Sequence, residues 1–253
     1  MVNKMRGKIE KGLLREIERE GAIHLTLIDP EEVDVNTGTK MASHAEEAGS
    51  KAIMVGGSTA VSVYKLDSLV RGIKAKIKIP VILFPNNVTG ISKYANAIFL
   101  MSLLNSSNPY YITGVQALAA PLVKEYSLEP IPLAYIILGE SLTAVSHIGY
   151  ANPIPFRNSK LASMYALAGQ QLGMRFVYLE GGSGAGKPIP PSMVRAVSEA
   201  VDIPVIVGGG IRTPEDARAA AEAGAKIVVT GTAHEEASPG KILKIIQSVR
   251  KPF

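Results

Sequence analysis

A chain of 253 residues, 47% of them hydrophobic, holds ample material for one barrel-sized core, yet its longest apolar runs, such as 97–104, are too short to cross a membrane. It contains no cysteine, which excludes disulfides, thiolate metal sites and cysteine nucleophiles and suits a reducing, cytoplasmic setting. The net charge of +5 favours anionic ligands, but Lys and Arg are scattered with no basic run among aromatics, so nucleic acid is not an expected partner.

The N-terminus is too charged for a signal peptide; Ile9, Leu13, Leu14 and Ile17 instead mark one face of a helix expected to plug the floor of the fold. Eight apolar runs follow, at 23–29, 51–57, 79–85, 97–103, 133–139, 175–181, 203–210 and 226–231. Most are rich in Ile, Val and Leu and stop at Gly, Pro or Asp, as buried parallel strands do at their functional ends. Helical stretches separate them, at 38–49, 60–77, 109–126, 158–172, 191–201 and 214–223, with another at 240–250; the third link has only about 88–96 available. Units of roughly 30 residues predict an α/β fold, a single-domain (β/α)8 TIM barrel over 1–253 with an N-terminal helix. A doubly wound sheet is the alternative, but no linker or switch point marks one.

The last two runs end in glycine turns, Gly208-Gly209-Gly210 and Gly231-Thr232, on either side of a short helix with Thr213 as N-cap, Pro214 next and Gly224 as its stop. Two successive glycine turns near the end of a barrel sequence are where that fold holds phosphate, so a phosphate ester is the expected ligand. The stretch from Gly181 to Lys187 satisfies seven positions of the nucleotide P-loop pattern, but Pro188 follows, with no hydroxyl for magnesium and no room for a helix start. Its glycines leave amides free, and Lys187 is available to fold over an anion, unless the loop is only a flexible connector.

Tyr178 and Glu180 alternate along the sixth run and share a face, with Glu180 at the barrel mouth. There it would accept hydrogen bonds from substrate hydroxyls or take a proton from one; the plain alternative is a carboxylate satisfied by a nearby Lys or Arg. Asp29 ends the first run beside Pro30, and Ser58 follows the second. A carboxylate and a hydroxyl with no imidazole cluster suit magnesium, although each residue reads equally well as the cap of its following helix. The four histidines have no metal spacing, so zinc is not expected.

The motifs HLTLIDPEE, MVGGSTAV, ILFPNN, AIFLMSLLNSSNPYYITG, YIILGESLTAVSHIGYANPIP, FVYLEGGSGAG, VGGGIRTPEDA and VTGTA run in order over nearly the whole chain. This series resembles the archaeal geranylgeranylglyceryl phosphate synthase family, in particular the branch that tends to form larger homo-oligomers. The resemblance implies transfer of a prenyl group from a polyprenyl diphosphate, geranylgeranyl diphosphate being the expected donor, to the 3-hydroxyl of sn-glycerol 1-phosphate, the first ether bond of archaeal membrane lipids. It implies Mg2+ as cofactor at Asp29 and Ser58, and glycerol phosphate at Tyr178, Leu179, Glu180, Gly181, Gly182, Ser183, Gly184, Gly209, Gly210, Gly231 and Thr232. Glu180 and Tyr178 would be the catalytic pair, with transient membrane contact at product release and no membrane span. Some relatives, the bacterial heptaprenyl enzymes among them, carry a lysine two or three residues before the strand-one aspartate; here the stretch is Thr26-Leu27-Ile28, and Lys187 is the substitute considered.

An isoprenoid needs an apolar trough, for which Phe84, Tyr94, Ile98, Leu103, Leu104, Tyr110, Tyr111 and Ile136 are candidates, Ile98 and Ile136 reading equally as barrel core. Two other functions fit a phosphate-binding barrel: a phosphosugar isomerase or aldolase, and a noncatalytic binder of phosphorylated metabolites. Against the first, the fifth run ends Gly139-Glu140 without a second aspartate, and no run ends in a lysine able to form a Schiff base.

Overall fold

The computed structural model describes residues 6–57, 62–182, 186–231 and 239–250. Within them, parallel strands close a barrel in chain order: β1 (Ile23–Ile28), β2 (Ala52–Val55), β3 (Val81–Leu83), β4 (Ala97–Leu103), β5 (Glu129–Ile137), β6 (Phe176–Glu180), β7 (Val205–Gly208) and β8 (Ile227–Thr230). Pairing of Ile23 with Ile227 and of Thr26 with Thr230 joins β8 to β1 and leaves no open edge. The barrel prediction holds, and the doubly wound alternative falls with it.

Around the barrel lie α2 (Val35–Ala48), α3 (Val63–Lys74), α4 (Val115–Glu125), α6 (Ser159–Gln171), α7 (Pro191–Ala200), α8 (Pro214–Glu222) and α9 (Pro239–Ser248), while α1 (Lys8–Glu20) precedes β1 and α5 (Ala144–Ile148) sits in the connection after β5. Strand alternation divides the core into two shells. Phe176 and Tyr178 of β6 point inward with Leu25, Met54, Phe99 and Leu133, whereas Val177 and Leu179 point outward onto the helices.

The floor is closed as expected. Leu13 and Ile17 of α1 join the inner cluster, and Ile9 and Leu14 pack against it. Leu13 is only 2% exposed, a burial that stabilises the plug by about 1.5–3 kcal/mol. The helix start is tied down by Glu129, whose carboxylate accepts from the amides of Ile9 and Glu10, each at 2.8 Å.

Besides the short helix α5, which no run in the sequence marks, three elements depart from expectation. Strand β5 begins at Glu129, not at Leu133, and so runs through Pro130 and Pro132. The carbonyls of both prolines face Arg175, on the side where β6 has not yet begun, so their missing amides interrupt no ladder. The third connection is a single 3-10 turn, Val88–Gly90, in place of a helix. The helix expected over 109–126 opens as a π-helix, Tyr110–Gly114, before continuing as α4.

Candidate functional site

A cavity of about 500 Å3 opens at the C-terminal ends of the strands, within the range of small-molecule sites. Its floor is an aromatic cluster: Phe84 lies stacked on Tyr178 at 5.2 Å between ring centroids, and Tyr135 meets both rings edge-on at 5.5 and 5.3 Å. From this floor two unlike walls rise. One is polar and carries Asp29, Glu180, Gly209, Gly210, Arg212, Thr230 and Gly231; the other is apolar, with Met101, Leu103, Tyr111, Val115, Val145 and Ile148.

Glu180 ends β6 facing inward and is buried. Its Oε1 accepts from the amide of Gly182 at 2.6 Å and its Oε2 from the Tyr135 hydroxyl at 3.2 Å; the Tyr178 hydroxyl shares the same carboxylate. Burial lifts the Glu180 carboxyl above the ordinary carboxylate range, against these three donors, which favour the ionised form. Burial and the neighbouring carboxylate push both tyrosine hydroxyls far upward, so they stay protonated and donate. Among the described residues no Lys or Arg pairs with Glu180, so the plain ion-paired alternative for this carboxylate finds no support there.

The turn after β7 presses on this carboxylate. Gly209 has φ +86°, and a side chain there would place its Cβ 2.7 Å from Glu180 Oε1. At Gly208 the same atom would lie 2.1 Å from the Tyr178 hydroxyl. These glycines are therefore required for close approach of two loops, in addition to offering amides to an anion. Thr213 caps α8 through Asp216, as the sequence predicts.

Asp29 lies half-buried at the end of β1, its Oδ1 accepting from the Glu31 amide at 2.9 Å and its Oδ2 facing Gly57, the residue before Ser58. Burial raises its carboxyl first; the Glu31 amide opposes that, Glu32 and Glu31 add to it, and Lys65 opposes it. The cap of α2 is Asp34, which accepts from Thr37 N at 2.6 Å, so the reading of Asp29 as a helix cap fails.

Of the expected site residues, Asp29, Tyr178, Glu180, Gly209, Gly210 and Gly231 surround the cavity. Gly181 and Gly182 do not line it: their amides are taken by Gly208 O at 2.9 Å and by Glu180, so neither is free for a ligand. The Leu179 side chain packs in the outer shell, away from the cavity. Ser58, Ser183, Gly184 and Thr232 lie outside the described residues. Lys187 does not line the cavity either; its carbonyl sits against Gly210.

Of the trough candidates, Phe84, Leu103 and Tyr111 line the cavity, while Ile98 and Ile136 belong to the outer shell, Leu104 packs against that shell, and Tyr94 lies beneath Arg71 and Lys93 at the surface. Tyr110 does not line the cavity; its hydroxyl donates to Asn87 Oδ1 at 3.3 Å. Residues missed by the sequence reading include Tyr135, Arg212 and the α5 contributors Val145 and Ile148. Tyr135 carried a usable signal, the inward parity of β5 that it shares with Leu133; α5 is too short to show a period. His24 is a satisfied core residue, bonded to Thr230 Oγ1 at 2.9 Å and Ser50 Oγ at 3.2 Å.

Comparison with known proteins gives a consistent placement. The model of the PcrB family matches residues 15–250. Geranylgeranylglyceryl phosphate synthase of Thermococcus kodakarensis is 56% identical over 231 residues, 91% of each chain, and its namesake from Pyrococcus abyssi is 54% identical over 229 residues, 90% of each. Among solved structures, (S)-3-O-geranylgeranylglyceryl phosphate synthase from Thermoplasma acidophilum, in complex with its substrate sn-glycerol-1-phosphate, superposes with a TM-score of 0.91 at 42% identity, covering 96% of this chain and 98% of that one. Spanning the barrel from its plug helix to α9, the chain belongs to the PcrB family.

Proposed function

We propose that this chain is a prenyltransferase that moves a geranylgeranyl group from geranylgeranyl diphosphate to the 3-hydroxyl of sn-glycerol 1-phosphate. The observation that carries the reading is the two-walled cavity, in which a polar, glycine-edged wall adjoins an apolar wall above one aromatic floor. A phosphosugar enzyme needs the first wall and has no use for the second. The named relatives share this activity in name, and the Thermoplasma relative was solved with glycerol phosphate.

In this reading the phosphate of the acceptor sits at the turns of Gly209, Gly210 and Gly231, and the glycerol hydroxyls reach toward Glu180. Its 3-hydroxyl oxygen forms a bond to C1 of the prenyl group as the C1–O bond to diphosphate breaks. The leaving diphosphate takes the electron pair, and the hydroxyl proton passes to Glu180. Desolvation suits Glu180 to that task by making its carboxylate more basic than an exposed one. Tyr135 and Tyr178 fix its orientation, and the apolar wall from Leu103 to Ile148 sheathes the isoprenoid and keeps water from the reacting carbon.

Asp29 and Ser58 would hold Mg2+. The surroundings of Asp29 fit a hard cation: Oδ2 accepts no hydrogen bond from the described residues, Glu31 and Glu32 add negative charge, and one carboxylate plus substrate oxygens is an ordinary magnesium ligand set. When bound, magnesium supplies positive charge to the departing diphosphate.

Exposed Met164 and Leu172 at α6 support a homo-oligomer, and exposed Leu142 and Tyr150 near the mouth support transient contact with a membrane at product release. No helix among the described residues is long and apolar enough to cross a membrane. A cytoplasmic site of action belongs to the same reading. The test is incubation with magnesium, geranylgeranyl diphosphate and each enantiomer of glycerol phosphate. The expected result is a magnesium-dependent ether product from the sn-1-phosphate; product from neither enantiomer contradicts the reading.

A further inference from the structure

The cavity is acidic where its ligands are also acidic. Asp29, Glu32 and Glu180 all line it, and among its described lining residues Arg212 is the one cation. The backbone of Arg212 is fixed, because its amide donates to Asp216 Oδ2 at 3.2 Å inside the capping box that starts α8. Its side chain is exposed, and its guanidinium makes no ion pair with any described carboxylate. An anchored root with an unpaired charged tip is the construction expected of a group that waits for an anionic ligand.

We propose that Arg212 is the clamp on the acceptor phosphate, its guanidinium closing over an anion held from below by the turns at Gly209, Gly210 and Gly231. This rests on the reading of the acceptor as glycerol phosphate. Location decides between the two anions of the reaction: Arg212 follows β7 just after the turn at Gly209 and Gly210, whereas Asp29 and Gly57 lie beyond the ends of β1 and β2. Charge supplies the motive. A phosphomonoester carries about −1.5 to −2 at pH 7, and amide dipoles alone offer only partial positive charge against it. The clamp also accounts for the absence of a lysine before Asp29, where Leu27 faces the cavity, and it takes the role that the sequence reading offered to Lys187. Uncharged glycerol, lacking the group that Arg212 grips, is excluded as an acceptor by the same contact.

The test uses the whole chain with Arg212→Gln and Arg212→Lys, calorimetric titration with sn-glycerol 1-phosphate, and steady-state kinetics in both substrates. The amide bond to Asp216 survives in either variant, so α8 keeps its start. For Arg212→Gln, Kd and KM for glycerol phosphate should rise about tenfold to a hundredfold, while kcat at saturation and KM for geranylgeranyl diphosphate stay within about twofold. Arg212→Lys should recover part of the loss. Unchanged glycerol phosphate affinity in Arg212→Gln overturns the proposal, as does a loss confined to the diphosphate KM, which would assign the residue to the leaving group. A wild-type chain that binds no glycerol phosphate removes the functional reading and the clamp together.

Discussion

The two walls of the cavity are built by different means. The polar wall is largely backbone: Gly209, Gly210 and Gly231 stand at strand ends, and Glu180 is fixed by an amide and two buried hydroxyls. The apolar wall is side chain and loop: Val145 and Ile148 come from the short helix α5, and Tyr111 from a π-helical turn anchored by Gln116, whose Nε2 donates to the carbonyls of Met101 and Tyr111. A wall of backbone amides recognises one compact charged group with little tolerance. A wall of side chains on short helices sets size and shape, and it is the part that can vary without disturbing the chemistry.

If the walls serve separate substrates, damage to one should spare the other. The largest effect is expected of Asp29→Ala, which should lower turnover about a thousandfold or more, with glycerol phosphate affinity by calorimetry nearly unchanged. Loss of both together would contradict the separation. Next comes Glu180→Gln, with kcat lower by about 10²–10⁴. Wild-type kcat should rise with pH through a value above the ordinary carboxylate range, and Glu180→Gln should lack that limb. Stability runs the opposite way. The folded carboxyl holds its proton more tightly than the unfolded one, so its contribution is present in acid and lost as pH rises through the raised folded value. Thermal melts across that window should show this decline in wild type and not in Glu180→Gln.

Smaller effects should sort by wall. Gly209→Ala forces a side chain into a left-handed turn against Glu180 and should cost about 1–3 kcal/mol of stability, raising KM for glycerol phosphate before that for the prenyl donor. Val145→Ala should do the reverse, weakening the prenyl donor by about tenfold at most while leaving glycerol phosphate alone. Lys187→Ala is expected to change either KM by no more than about twofold, since its side chain does not line the cavity.

The same contrast explains what the sequence could disclose. Strand ends punctuated by glycine and aspartate are local signals, so the barrel and the positions of Asp29, Glu180, Gly209 and Gly231 were legible from spacing and alternation. The Thr213-Pro214 helix start was equally plain. Tertiary facts were not. That the amides of Gly181 and Gly182 are already engaged, that β5 extends back through two prolines, and that α5 folds over the mouth all depend on neighbours distant in the chain. Arg212 carries no such signal, because a run of residues does not reveal which cation among many reaches a cavity.

Simultaneous occupancy tests the central claim most directly. Titration of sn-glycerol 1-phosphate into the chain saturated with an unreactive geranylgeranyl diphosphate analogue should give a Kd equal to or tighter than that without the analogue. Mutually exclusive binding, seen as a Kd that climbs in proportion to the analogue, would mean that the two walls form a single site, and the account would be wrong.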